Sequence, residues 1–239
     1  MNAFLSVQDL SVSFGKLRVI NNVSFELNRG ESLAIIGPNG SGKTVLLKTL
    51  LGLTEHAGSF FWSPDARLGY VPQKIDADRH LPINLQNLLE AKASIQHLKR
   101  ADILSTVKTV GLPQETLRTP IGHLSGGQFQ KALIAFALLG NPNVILFDEP
   151  TASLDELSEE HIYELLNELR RERGLTVILV SHDLSIVPEM ADKILCLNKS
   201  TVCFGPPEEA LTEEVFAKLY SEPHKVFHHP SEHHHRHHA

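Results

Sequence analysis

The sequence is poor in several features that would assign it to a special class. It has only two cysteines in 239 residues, Cys196 and Cys203. Two cysteines make no disulfide framework, and a reducing compartment is the simplest reading. Both fall in apolar stretches and read as core residues rather than ligands. There is no CxxC and no HExxH, so nothing supports a catalytic zinc site. Long hydrophobic runs are missing as well. The longest, 132–139, covers about eight residues, against the roughly 20 a helix needs to cross a bilayer. The N-terminus, MNAFLSVQDLSVSF, lacks a basic region and alternates apolar with polar. It reads as a strand, not a signal peptide. The formal charge of −6 argues against nucleic acid as a partner.

What remains is an ordinary globular composition, 42% hydrophobic and 21% charged, which excludes a disordered chain. The length suits one large domain. One oddity stands out: eight of the 14 histidines lie in the last sixteen residues.

Periodicity places strands at 4–14, 23–27, 32–36, 60–62 and 68–71, and again at 143–147, 175–180, 194–197 and 201–204. Helical spacing covers 45–52, 84–110, 126–139 and 156–173, with Asn84 as a candidate N-cap. Strands alternating with helices predict an α/β fold with a mainly parallel sheet. The helical stretch, about 78–140, reads as an insertion into it.

Gly37-Pro38-Asn39-Gly40-Ser41-Gly42-Lys43-Thr44 fits G-x-x-x-x-G-K-[ST] between a strand and a helix. Glycines let backbone N–H groups converge on phosphate oxygens, and the helix N-terminus adds partial positive charge. Lys43 then reaches the β- and γ-phosphates of a nucleotide, and the Thr44 hydroxyl can ligate Mg²⁺. Downstream, four apolar residues, Val144 to Phe147, lead to Asp148 and Glu149. Asp148 is placed to hold Mg²⁺ at the C-terminal end of a strand. Glu149 is placed to polarise a water for in-line attack on the γ-phosphate.

Leu124-Ser125-Gly126-Gly127-Gln128 precedes Asp148 by about 20 residues. With this motif the chain resembles the ATP-binding subunit of ABC transporters over roughly residues 3–220. The resemblance implies a P-loop NTPase (RecA-like) core with an antiparallel β subdomain and a helical insertion subdomain. The cassette would occupy 1–223, leaving 224–239 as a histidine-rich tail. It implies ATP and Mg²⁺ as cofactors. It assigns Gln73 to Mg²⁺ and the attacking water, and His182 to the γ-phosphate. Phe14 would stack on adenine, beside nucleotide contacts from Gly37, Asn39, Gly40, Ser41, Gly42, Lys43 and Thr44. Thr44, Gln73 and Asp148 would hold the Mg²⁺. Ser125, Gly126, Gly127, Gln128 and Asp155, the last in Ser153-Leu154-Asp155, would act in trans. Hydrolysis then needs a homodimer or a paired ABC subunit, docked on an integral membrane permease at the cytoplasmic face of the cell membrane. Phe129 and Phe136 stand where the family commonly has basic residues, and Val45 where it often has a second hydroxyl.

The segments RLGYVPQKIDADRHLPINLQNLL and DKILCLNKSTVCFGPPEEALT are similar to zinc and manganese importers. They imply import of a divalent metal, with zinc as the leading cargo, delivered by an extracytoplasmic metal-binding protein. Manganese, iron, or a soluble scaffold ATPase of the same family remain alternatives. His228, His229, His233, His234, His235, His237 and His238 could bind zinc as an arm outside the motor. A cloning tag or an inert tail would also account for them.

Overall fold

The structure, a computed structural model, describes residues 3–73, 82–150, 154–181 and 183–220. Two sheets organise it. In the first, β1 (Leu5–Phe14) pairs antiparallel with β2 (Leu17–Leu27) on one side and with β4 (Ala57–Trp62) on the other. The second has six strands in the order β5 (Leu68–Val71), β6 (Val144–Asp148), β7 (Thr176–Val180), β3 (Ser32–Ile36), β8 (Lys193–Asn198) and β9 (Ser200–Gly205). All its pairs are parallel except β8 with β9. The SLAII, VILFD and TVILV strands are buried at every position, as expected of parallel strands covered on both faces.

Alternation along β6 assigns those faces. Ile145 and Phe147 face a core built with α2 (Leu85–Ile95), α3 (Arg100–Thr109), α4 (Gly126–Leu138) and α5 (Glu156–Arg173). Val144 and Leu146 face the other way, toward α1 (Lys43–Leu50) and the three-stranded sheet. A third, smaller core joins β8 to α6 (Val187–Met190), α7 (Pro207–Ala210) and α8 (Glu213–Tyr220). No described helix is long and apolar enough to cross a membrane.

Three expectations change. The helical stretch 84–110 is two helices, because α2 ends at Ile95, Gln96 is its C-cap and His97 takes a positive φ of 54°. Asn84 does cap α2, in a reciprocal pair with Asn87. Strand β2 starts six residues earlier than its apolar pattern, since Asn21 and Asn22 interrupt the alternation and Asn22 sits at a bulge with φ 53°. The cysteines, expected to form no disulfide framework, do pair: they lie in or against a core, but the β8–β9 register sets Cys196 opposite Cys203, Cα atoms 4.8 Å apart, and they are joined as a disulfide. Sequence shows that each thiol lies in an apolar stretch; only the register shows that they meet.

Candidate functional site

The phosphate loop runs from the end of β3 into α1. Gly37 has φ 154°, and a Cβ there would collide with the carbonyl of Leu197. Gly42 has φ 104° and abuts Ile20 and the carbonyl of Val19, so β2 walls the loop. Both positions require glycine. The β8–β9 turn braces the loop from outside: Lys199 N–H donates to Ser41 O at 3.0 Å, and Asn21 N–H donates to Lys199 O at 2.6 Å. The hydroxyl oxygen of Ser41 is buried with no hydrogen-bond partner. A buried polar atom in that state calls for a ligand.

Lys43 is 6% exposed. Its ammonium donates to the carbonyls of Gly37 at 2.9 Å and Pro38 at 3.2 Å. Burial lowers its pKa, while the charges of Glu149 and Asp148 oppose that. The lysine therefore lies in the field of both carboxylates.

Asp148 ends β6 and is 2% exposed. Thr44 Oγ1 donates to its Oδ1 at 2.9 Å, and Tyr70 Oη donates to its Oδ2 at 3.4 Å. Burial raises the Asp148 pKa, and Glu149 adds to the rise. Burial, with Asp148 beside it, also pushes the Tyr70 phenol up to about 12. Glu149 takes a positive φ of 48°, an uncommon conformation for this residue type. Its N–H donates to Val180 O at 3.1 Å, and its carboxylate accepts from Gln73 Nε2. Gln73, Lys43, Thr44, Asp148 and Glu149 are thus brought together at the C-terminal edge of the parallel sheet.

This oxygen-donor set fits Mg²⁺, a hard cation bound through one or two carboxylates plus substrate phosphates. No described group of three or more His, Cys, Asp or Glu could form an all-protein metal cage.

A second cluster lies apart from these residues in its bonding. Ser125 caps α4, with Gln128 N–H donating to its Oγ and its own N–H donating to Gln128 Oε1. Gly126 and Gly127 lie against Leu154 and Ser158 at the start of α5. Asp155 caps α5 by accepting from Ser158 N–H at 3.0 Å and Ser158 Oγ at 2.8 Å. Those bonds hold its carboxyl below the usual carboxylate range. Phe14 is 55% exposed at the tip of the β1–β2 hairpin whose Val19–Ile20 segment walls Gly42. Asn39 and Gly40 are exposed at the mouth of the loop. His182, Ser153 and the tail histidines lie outside the described residues. Position 182 falls two residues past the end of β7, the strand between β6 and β3.

Sequence reasoning missed Tyr70. A signal was there: a hydroxyl-bearing aromatic on a short buried strand normally seeks a partner. It missed the brace from Leu197 and Lys199, for which no local pattern exists.

The ABC transporter family profile matches residues 20–152. The zinc import ATP-binding protein ZnuC of Yersinia enterocolitica is 38% identical over 223 residues, covering 93% of this chain and 87% of that protein. Among solved structures, an inward-facing ABC transporter assigned to the metal-chelate type aligns with TM-score 0.83 and 28% identity, covering 93% of this chain and 90% of that one. The dimeric ATP-binding cassette MJ0796, bound to ADP and Pi, aligns with TM-score 0.74 and 25% identity, covering 85% and 98%. The phosphate loop, the acid pair and the capped α4 motif are therefore those of a known class of motor, and the chain belongs to the ABC transporter family as an ATP-binding cassette.

Proposed function

We propose that the chain is the ATP-hydrolysing motor of a divalent-metal importer whose cargo is zinc. The convergence of Lys43, Thr44, Asp148 and Glu149 at one sheet edge carries the ATP-hydrolysing part of this reading. In it, the Lys43 ammonium exchanges the carbonyls of Gly37 and Pro38 for β- and γ-phosphate oxygens. Thr44, Asp148 and Gln73 would hold Mg²⁺, which would supply neutralisation of the phosphate charge. Glu149 accepts the proton of the attacking water, and Gln73 fixes the direction of that carboxylate. Phe14 stacks on the base, and His182 contacts the γ-phosphate.

Ser125, Gly126, Gly127, Gln128 and Asp155 complete the site of a second subunit, as the resemblance to the family implies; the hydrogen bonds described above for Ser125, Gln128 and Asp155 are local caps of α4 and α5. The assembly sits on the cytoplasmic face of a permease, and an extracytoplasmic metal-binding protein delivers the ion. The cargo assignment draws on the zinc importers to which the chain is similar. The tail histidines form a zinc-binding arm outside the motor.

The test is ATP hydrolysis by the cassette assembled with its permease in proteoliposomes, with the metal-binding protein outside. Zinc-loaded binding protein should stimulate turnover several-fold over manganese-loaded protein. Equal stimulation by manganese, or none by zinc, overturns the cargo assignment. Deleting 224–239 should lower zinc bound per chain without lowering basal turnover.

A further inference from the structure

We infer that Tyr70 is a positioning residue for the metal site: its hydroxyl fixes the Asp148 carboxylate in the orientation that a divalent cation needs. This rests on the assignment of Asp148 to Mg²⁺.

The strand register makes the contact. Tyr70 lies opposite Leu146 in the parallel β5–β6 pair. Both pack on the core face shared with α1. Asp148 is two residues beyond Leu146, on the same face. Two strand residues span roughly 6.6 Å, about the length of a tyrosine side chain, so the hydroxyl arrives at Oδ2 while the ring stays in the core. Each carboxylate oxygen then has its own donor, Thr44 on Oδ1 and Tyr70 on Oδ2.

The two donors are not equivalent once a cation enters. Thr44 Oγ1 would itself become a ligand. Tyr70 would then be the remaining hydroxyl aligning the carboxylate plane. Two residues past the end of β5, Gln73 donates to Glu149. The strand and the residues just after it thus provide a donor to each acid at the end of β6. Phenylalanine would fill the same space and provide nothing. Partners that orient a metal ligand typically carry about 10–100-fold in metal affinity.

The test uses the full chain with ADP and Mn²⁺, the cation followed by electron paramagnetic resonance. Tyr70→Phe should weaken Mn²⁺ binding about tenfold, with ADP affinity in EDTA and the melting temperature unchanged. Tyr70→Ala should show the same metal loss together with a lower melting temperature. Wild-type Mn²⁺ affinity in Tyr70→Phe overturns the inference, and so does a metal loss confined to Tyr70→Ala, which would mean packing alone. Asp148→Asn separates the two levels of argument. If it retains Mn²⁺ affinity, the magnesium assignment itself fails. If it loses affinity while Tyr70→Phe does not, only the role of Tyr70 fails.

Discussion

The ammonium of Lys92 lies 4.7 Å from the centre of the Phe136 ring and donates to the backbone carbonyl of the same residue, with Ala137 O at 3.4 Å. The clamp ties α2 to the C-terminal half of α4, the helix that begins at the LSGGQ motif. Phe136 stands where the family resemblance expects a basic residue. Here a cation reaches that place from another helix.

Lys92→Met should therefore destabilise the protein by about 1.5–3 kcal/mol, the range for hydrogen bonds to a charged group. Urea unfolding would measure it. ADP affinity should be unchanged, because the phosphate loop sits on the other face of the sheet.

Asp148→Asn should stabilise the protein when divalent cations are absent. Burial raises the Asp148 pKa above its ordinary 3.8, so the folded state holds this proton more tightly than the unfolded chain. Below 3.8 both states carry it. As pH rises through the raised folded value, the folded state must bury a charge and stability falls. The asparagine variant escapes that penalty. In EDTA at pH 7 its melting temperature should lie above wild type. The gap should close toward pH 3, as calorimetry across that range would show.

Ser125→Asp separates capping from catalysis. Aspartate is as good an N-cap as serine and favourable at a helix N-terminus, so the melting temperature should hold. Its carboxylate would face the triphosphate of the partner subunit. ATP-induced dimerisation, read by light scattering, should be lost, while ADP binding by the monomer survives.

Glu149→Gln should keep ATP binding and lose hydrolysis by about 10²–10⁴-fold, the usual worth of a general base. A glutamine oxygen still accepts from Gln73 Nε2, so the local fold is kept. The ATP-bound dimer should accumulate on size-exclusion chromatography.

The parts of the site legible in the sequence are those set by contiguous residues. Gly37 to Thr44 must be written together, because one loop wraps one phosphate chain. Asp148 and Glu149 follow a run of apolar residues that only a buried strand explains. The capping of α4 by Ser125 and of α5 by Asp155 is equally local. What sequence could not give depends on register between distant segments. Tyr70 reaches Asp148 because β5 and β6 pair as they do, and Cys196 meets Cys203 for the same kind of reason. Strand β2 hid behind Asn21 and Asn22, which form a bulge that the strand carries without losing its pairing on either side.

The brace on the phosphate loop has a consequence for how the protein is made. Gly37 to Thr44 leave the ribosome early, yet Leu197, whose carbonyl packs on Gly37, and Lys199, whose N–H holds Ser41, are added some 160 residues later. A nascent chain therefore carries every phosphate-contacting residue of the loop long before it carries the wall that shapes it. The shape of the phosphate loop is thus complete only once β8 and the turn after it have been added.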